Sequence, residues 1–233
     1  MSVVREALTG SGTYLMPACE TSSLLGVGEA RWERFGAHWD NLAVDDYAHD
    51  HGMRRLRRYG HFRVTPGTGS FRLLAPRPFA QPQDSNPLYI DVDRVFEPLT
   101  DTFVADPMFA AVLRLLVECA VALDDPPEWI GRAHLFRVVG TADAEGSPAP
   151  EGRHRDGVTL VSSLLIARRN ATGGETTVFD LDGQRVLTAT LEEPGTLLLG
   201  DDRCTLHDVS PVRPADRSRP AYRDVLVTTL API

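Results

Sequence analysis

Apolar and polar positions follow different rules in the two halves of the chain. From Gly131 onward, apolar runs of strand length are separated by turn residues: "AHLFRVVG", "GVTLVSSLLIA", "ETTVFDL", "RVLTATL", "GTLLLG" and "YRDVLVTTLA", broken by "TGG", "DLDG" and "EEPG". Branched and aliphatic side chains in runs of this length, bounded by Gly, Asp and Pro, predict strands. Short turns between them predict an antiparallel sandwich or barrel in the C-terminal half. Upstream the pattern turns helical. "ADPMFAAVLRLLVECAVALDD" stays apolar to Leu123, with Asp106 placed to cap it and Pro107 in its first turn, so a helix is predicted outside the sheet, ended by "DDPPEW". "EARWERFGAHWDNLAV" spaces Trp32, Phe35 and Trp39 at helical intervals, which predicts a short amphipathic helix with its aromatics in the core. Residues 54–74 predict two short strands around "TPGTGS", and "APRPFAQPQDSNP" a long loop. Residues 1–30 are weakly patterned. The fold class is therefore mainly β with flanking helices (α+β), as a single domain over 1–233, with 1–40 peripheral and 131–233 supplying most of the core.

Composition narrows the function classes. Hydrophobic residues at 42% and charged residues at 24% of 233 describe an ordinary folded chain. The formal net charge of -8 repels a polyanion, so nucleic acid is not expected as a partner. One stretch runs against that charge: "RRLRRYGHFR", residues 54–63, reads as a half-buried strand with a solvated basic face, a carboxylate-binding wall being the alternative. Cys19, Cys119 and Cys204 are odd in number and have no CxxC spacing, which suits a reducing cytoplasm better than a disulfide framework or a thiolate zinc site. No window approaches the length of a membrane span and the N-terminus lacks a leader pattern, so a cytoplasmic, soluble protein without a membrane partner is expected. A homodimer is admissible, and the sequence selects no oligomeric state.

The candidate chemistry lies in three residues. In "PEGRHRDG", His154 and Asp156 stand at i and i+2, which in an extended segment places an imidazole and a carboxylate on one face. His207, in "DDRCTLHDVSPV" just after the apolar strand "GTLLLG", is expected at the rim of the barrel. Two neutral nitrogens and one anionic oxygen form the facial set of non-haem Fe(II) oxygenases, with adjacent positions left open. Arg223, sixteen residues after His207 and at the start of the last strand, can hold a carboxylate with a planar fork, or pair with Asp224 or Glu175.

Together, "PEGRHRDG", "GGET", "DDRCTLHDVSPV" and "YRDVLVTTL", and more faintly "RRYGHF", "FAQPQDSN" and "RVFEPL", resemble the bacterial 2-oxoglutarate/Fe(II)-dependent dioxygenases that include isoleucine dioxygenase and related hydroxylases of free amino acids. The resemblance covers most of the chain after about residue 40. It implies a double-stranded β-helix, the cupin-like jelly-roll core. It implies that His154, Asp156 and His207 bind Fe(II) and that Arg223 pairs with the distal carboxylate of 2-oxoglutarate. The implied reaction consumes O2 and 2-oxoglutarate, releases succinate and CO2, and hydroxylates an aliphatic C–H bond of a free L-amino acid or close derivative. Desaturation or cyclisation by a related enzyme, and a metal-binding sensor of a small ligand, stay open. Halogenation is disfavoured, because halogenating relatives carry a small residue where Asp156 stands. Arg137 and Glu175 match family positions: Arg137 is a candidate for the substrate carboxylate or for a salt bridge, and Glu175 a further candidate substrate contact. Val225 stands where other branches carry serine two residues after the arginine, so no hydroxyl from that position is expected on the co-substrate. Gly173 and Gly174 read as a hairpin turn. The pocket is expected between the loop 76–90 and the strand near 135–139.

Overall fold

The computed structural model describes residues 1–49, 54–67, 70–79 and 93–233. Its helices are α1 (Ser2–Gly10), α2 (Ala18–Leu25), α3 (Glu29–Gly36), α4 (Asp46–His49), α5 (Asp101–Val104) and α6 (Pro107–Ala120), with a 3-10 turn at Ala37–Asn41. The strands are β1 (Thr13–Met16), β2 (Ala43–Val44), β3 (Arg55–Thr65), β4 (Ser70–Leu73), β5 (Trp129–Gly140), β6 (Leu160–Arg169), β7 (Ala171–Gly173), β8 (Glu175–Asp180), β9 (Arg185–Thr190), β10 (Leu197–Asp201), β11 (Thr205–Val209), β12 (Val212–Pro214) and β13 (Ala221–Pro232). Eight strands form one sheet in the order β1-β10-β6-β13-β5-β3-β2, with β4 on β3. A three-stranded sheet, β11-β8-β9, and a ribbon, β12-β7, complete a mostly β jelly roll.

Alternation along the strands divides the interior in two. Leu135 on β5, Leu226 and Leu230 on β13 and Leu164 on β6 face the helices, where they join Phe109, Leu113 and Leu116 of α6 in the main apolar core. Their neighbours point the other way: Val225, Leu165 and Leu198 pack with Val178 of the small sheet in a second cluster. Successive side chains on a strand leave on opposite faces, so one sheet carries both the core and the wall of a cavity. The helix over 107–120 is capped as its sequence predicts: the Asp106 carboxylate accepts the Met108 N–H at 2.8 Å, and Arg31 and His38 pair with the same side chain. Trp32, Phe35 and Trp39 are buried in the main core.

Three expectations need correction. The N-terminal segment is not peripheral: β1 pairs with β10 at the edge of the large sheet, and Val4, Leu8 and Met16 belong to the main core. A four-residue strand is too short to show a period, and its stability comes from a partner almost two hundred residues away. The strand holding "RRLRRYGHFR" is eleven residues long rather than short, because β5 pairs along nearly all of it. Its basic face is not solvated, since Arg55 and Arg57 are only 7% and 4% exposed. Gly173 and Gly174 do not close a hairpin either. Both take positive φ, +71° and +66°, at a corner where the chain leaves the β7-β12 ribbon for β8.

The division into two faces has a measurable consequence. Leu135→Ala is expected to cost about 2–5 kcal/mol in urea unfolding, the usual range for a buried leucine. The cavity face of β5, carried by His134 and Phe136, should keep its ligand-binding behaviour in that variant.

Candidate metal centre

Main-chain pairing brings the site together. The His154 N–H donates to the His207 carbonyl at 3.0 Å and the His207 N–H donates back at 2.8 Å, a two-bond antiparallel bridge between residues far apart in sequence. The two imidazole centroids are 4.4 Å apart. Asp156 follows on the same loop, and one ligand atom from each of His154, Asp156 and His207 lies within 4.8 Å of the others. Gly157 then turns the chain with φ +74° toward β6. Arg153 and Arg155 point outward and are exposed. His207 is the central residue of β11, so the polar stretch after the apolar strand β10 is a strand in its own right. Its side shares register with Val178 on β8, which aims both into the cavity.

The surroundings of the two imidazoles differ. The Gly152 carbonyl lies 2.7 Å from His154 Nδ1, and a carbonyl only accepts, so Nδ1 carries a proton and Nε2 is the ring nitrogen turned toward the cluster. Burial, reinforced by His154, pushes the His207 pKa down to about 4, so this ring is uncharged at neutral pH. Glu151 adds a carboxylate 3.8 Å from His154 Nε2.

One positioning residue carried no signal in the sequence reading. Asp202 is 1% exposed in the turn just after β10, and its two carboxylate oxygens accept the N–H groups of Asp156 and Val158, each at 3.0 Å. It thereby clamps the turn that presents Asp156. Burial, and then the nearby Asp156 charge, raise its pKa to about 6. The second acid of "GDDRC" was the available hint, but an acid pair after a strand reads equally well as a solvated turn. Its neighbour Asp201 is buried as well, at the end of β10, where its carboxylate accepts from Arg203 in the turn to β11.

The cavity, about 200 Å³, opens between the two sheets and is shared by the metal-ligand candidates and Arg223. Arg223 is 2% exposed, and its Nε and one terminal nitrogen have no partner among the described residues. Burial and the neighbouring Arg168 push its pKa down to about 10. An unpartnered buried guanidinium is costly, and an anion in the cavity would remove that cost. Gly174 makes room for it: a Cβ there would stand 3.1 Å from the Arg223 Cδ. Val225 lines the same wall and offers no hydroxyl.

Arg137 and Glu175 are not brought to this cavity, and parity explains both. Arg137 shares the helix-side face of β5 with Leu135, and both oxygens of Asp224 accept from it at 2.7 Å. Asp224 is thereby engaged by Arg137 and is not the partner of Arg223. On β8, Val178 and Thr176 face inward, so Glu175 points out and is exposed. His134, Phe136 and Val138 line the cavity, as does Phe79 from the proline-rich segment. Residues 80–90 of the expected pocket loop, with most of "FAQPQDSN", lie outside the described residues.

Comparisons with known proteins agree with this architecture. The sequence pattern of a family described as 2OG-Fe dioxygenase matches residues 36–229. A curated relative, 3(1)-hydroxy-L-isoleucine 4-dioxygenase of Pantoea ananatis, is 26% identical over 200 residues, 82% of this chain and 77% of its own. The crystal structure of a bsmA homolog from Methylobium petroleophilum PM1 superposes with a TM-score of 0.90 at 35% identity, over 99% of this chain and 92% of that one. IDO from Bacillus thuringiensis shares the fold, with a TM-score of 0.78 at 19% identity over 98% and 93% of the two chains.

The clamp on the Asp156 turn predicts an effect at a distance. Asp202→Ala should weaken binding of a divalent cation by about 10–100-fold, the usual effect of removing an outer support of a metal site. Titration of the metal-free protein with Fe(II) or Co(II) under anaerobic conditions reads this directly.

Proposed function

We infer the reaction from one premise: the chain belongs to the 2OG-Fe dioxygenase family. Enzymes of this family use Fe(II), 2-oxoglutarate and O2, and the donor set of two imidazoles and one carboxylate suits that ion. We propose that His154, Asp156 and His207 hold the iron, that Arg223 pairs with the distal carboxylate of 2-oxoglutarate, and that the enzyme hydroxylates an aliphatic carbon of a free L-amino acid or close derivative.

The observation that carries this reading is Arg223. A fully buried guanidinium with unsatisfied donors shares one cavity with a three-ligand cluster, and a 2-oxo dicarboxylate has one group for each. Bound iron would supply the activation of O2 coupled to decarboxylation of the 2-oxo acid to succinate and CO2. The protein's own residues do the rest. Arg223 orients the co-substrate by a planar fork. The Gly152 carbonyl holds His154 in its ligating tautomer, and Asp202 holds the loop of Asp156. Val225, Val227 and Leu198 keep the wall beside them apolar, which excludes water from the reacting carbon. The choice of a free amino acid is supported by the relative named 3(1)-hydroxy-L-isoleucine 4-dioxygenase. A cytoplasmic setting accords with three free cysteines, Cys19, Cys119 and Cys204.

Purified protein incubated with Fe(II), ascorbate, 2-oxoglutarate and a panel of L-amino acids should yield a product heavier by one oxygen, with succinate in equal amount. His154→Ala or Asp156→Ala should remove both signals. Arg223→Ala should raise KM for 2-oxoglutarate on the order of 100-fold, as expected for the loss of two charge-assisted hydrogen bonds. Full succinate formation by the histidine or aspartate variant would sink the metal assignment, and loss of two hydrogens in place of oxygen gain would redirect the reaction to desaturation.

A further inference from the structure

The metal chemistry makes no use of "RRLRRYGHFR", yet β3 brings two of its guanidinium groups inside the protein. Arg55 and Arg57 are buried and both line the cavity that contains His154, Asp156 and His207. In register, Arg55 faces Val138 and Arg57 faces Phe136 on β5, whose partners on the other side are Arg223 and Val225. One row across the sheet therefore reads Arg55, Val138, Arg223. At ~4.8 Å per strand spacing, the β3 arginines stand about 10 Å from Arg223 at the backbone. The cavity thus has cationic groups well apart from Arg223, with Arg55, Arg57 and Arg94 on one wall and Arg132, hydrogen-bonded to Tyr59, further along β5, and the 2-oxo acid accounts for Arg223 alone.

The β3 arginines differ in what they lack. Arg55 donates from Nε to the buried Asp45 at 2.8 Å, whereas Arg57 reaches the same carboxylate only at 3.7 Å. Asp45 therefore serves two buried cations. The firm partner of Arg57 is neutral: its Nη2 donates to His134 Nδ1 at 2.7 Å, and burial together with the surrounding arginines keeps that imidazole uncharged. The Arg57 Nε has no partner among the described residues. Phenyl rings crowd its guanidinium, Phe96 at 3.5 Å and Phe136 at 4.7 Å from their centroids. Rings over a guanidinium leave its donors available only at the edge, where a planar carboxylate fits. Arg94, also buried, lines the same wall. The carboxylates lining the cavity among the described residues are Glu151 and Asp156, both beside the metal-ligand histidines.

We propose that Arg57, backed by Arg55 and Arg94, seats a carboxylate of the substrate, so that the substrate is an anion and the carbon oxidised lies between this seat and the metal. The inference rests on the oxygenase reading above and sharpens it. The α-carboxylate of a free amino acid satisfies the requirement, while an amide, an ester or a residue inside a peptide does not.

The test uses matched probes: free L-amino acids, their primary amides, and aliphatic carboxylic acids without an amino group. Each is assayed with Fe(II) and 2-oxoglutarate for oxygen gain, and by its shift of the melting temperature. Wild-type protein should prefer an acid over its amide by at least about 100-fold in kcat/KM, the loss expected when a buried charged donor is left unpaired. Arg57→Gln should collapse that acid-to-amide ratio toward one, mainly through KM for the acid, a change that general loss of structure would not produce. Should that variant not fold, Arg57→Lys keeps the charge without the planar fork and should lower the ratio part of the way. Acids and amides oxidised alike, or a ratio unchanged in the Arg57 variants, overturn the seat and leave the amino acid reading standing. Oxidation of amine-free acids but of no amino acid retains the seat and overturns the amino acid reading. If no acid is oxidised and none raises the melting temperature beyond its amide, the seat is overturned as well.

Discussion

Two main-chain hydrogen bonds between His154 and His207 are the constraint on which the rest of the site depends. They join the loop leading into β6 to the middle of β11, and so fix the spacing between the two sheets where the ligand candidates meet. Side chains alone could not do this, since two imidazoles and a carboxylate have enough torsional freedom to separate. With the backbone held, each ring needs only one further restraint. The Gly152 carbonyl supplies it for His154, and the alternation of β11 supplies it for His207. Asp202 extends the same logic to Asp156, because its carboxylate binds the main chain on either side of the Gly157 turn. Preorganisation of this kind is what lets a site hold an ion in one geometry.

Parity across the large sheet then decides which residues can take part. Cross-strand partners share a face, so once Arg223 points into the cavity, Val138 and Arg55 must do so as well, and Arg137 and Asp224 must not. The same rule turns Glu175 outward on β8. The Arg137–Asp224 ion pair is what this arrangement leaves on the opposite face. It satisfies the buried Asp224 carboxylate, and it frees Arg223 from the nearest acid in sequence.

Much of this was legible beforehand, and the omissions have physical causes. The strands after Gly131, the α6 helix with its Asp106 cap and the aromatic triplet Trp32, Phe35 and Trp39 all announce themselves by local period, which a single sequence displays. The cluster of His154, Asp156 and His207 was visible because residue type and spacing suffice to suggest it. Asp202 was not, since its role is to accept main-chain N–H groups more than forty positions away. The assignment of Arg137 and Glu175 failed to reach the cavity because parity depends on register, and register is a property of paired strands, not of one. β1 was missed for the same reason: only its pairing with β10 makes it a strand.

Charge shows the same gap between composition and structure most clearly. The chain as a whole carries a net charge of -8, yet its cavity is cationic, with Arg55, Arg57, Arg94, Arg132 and Arg223 on the walls. Reading "RRLRRYGHFR" as a strand with one solvated basic face places the sheet correctly and the solvent wrongly, because the phenyl rings of Phe79, Phe96 and Phe136 cover the side to which Arg55 and Arg57 point. Keeping these cations buried opposes folding unless anions answer them. Asp45 answers Arg55 closely and Arg57 at a distance. What is left unanswered on β3 and β13 has the form of two separate carboxylate seats, so a chain that is acidic as a whole carries a cationic interior.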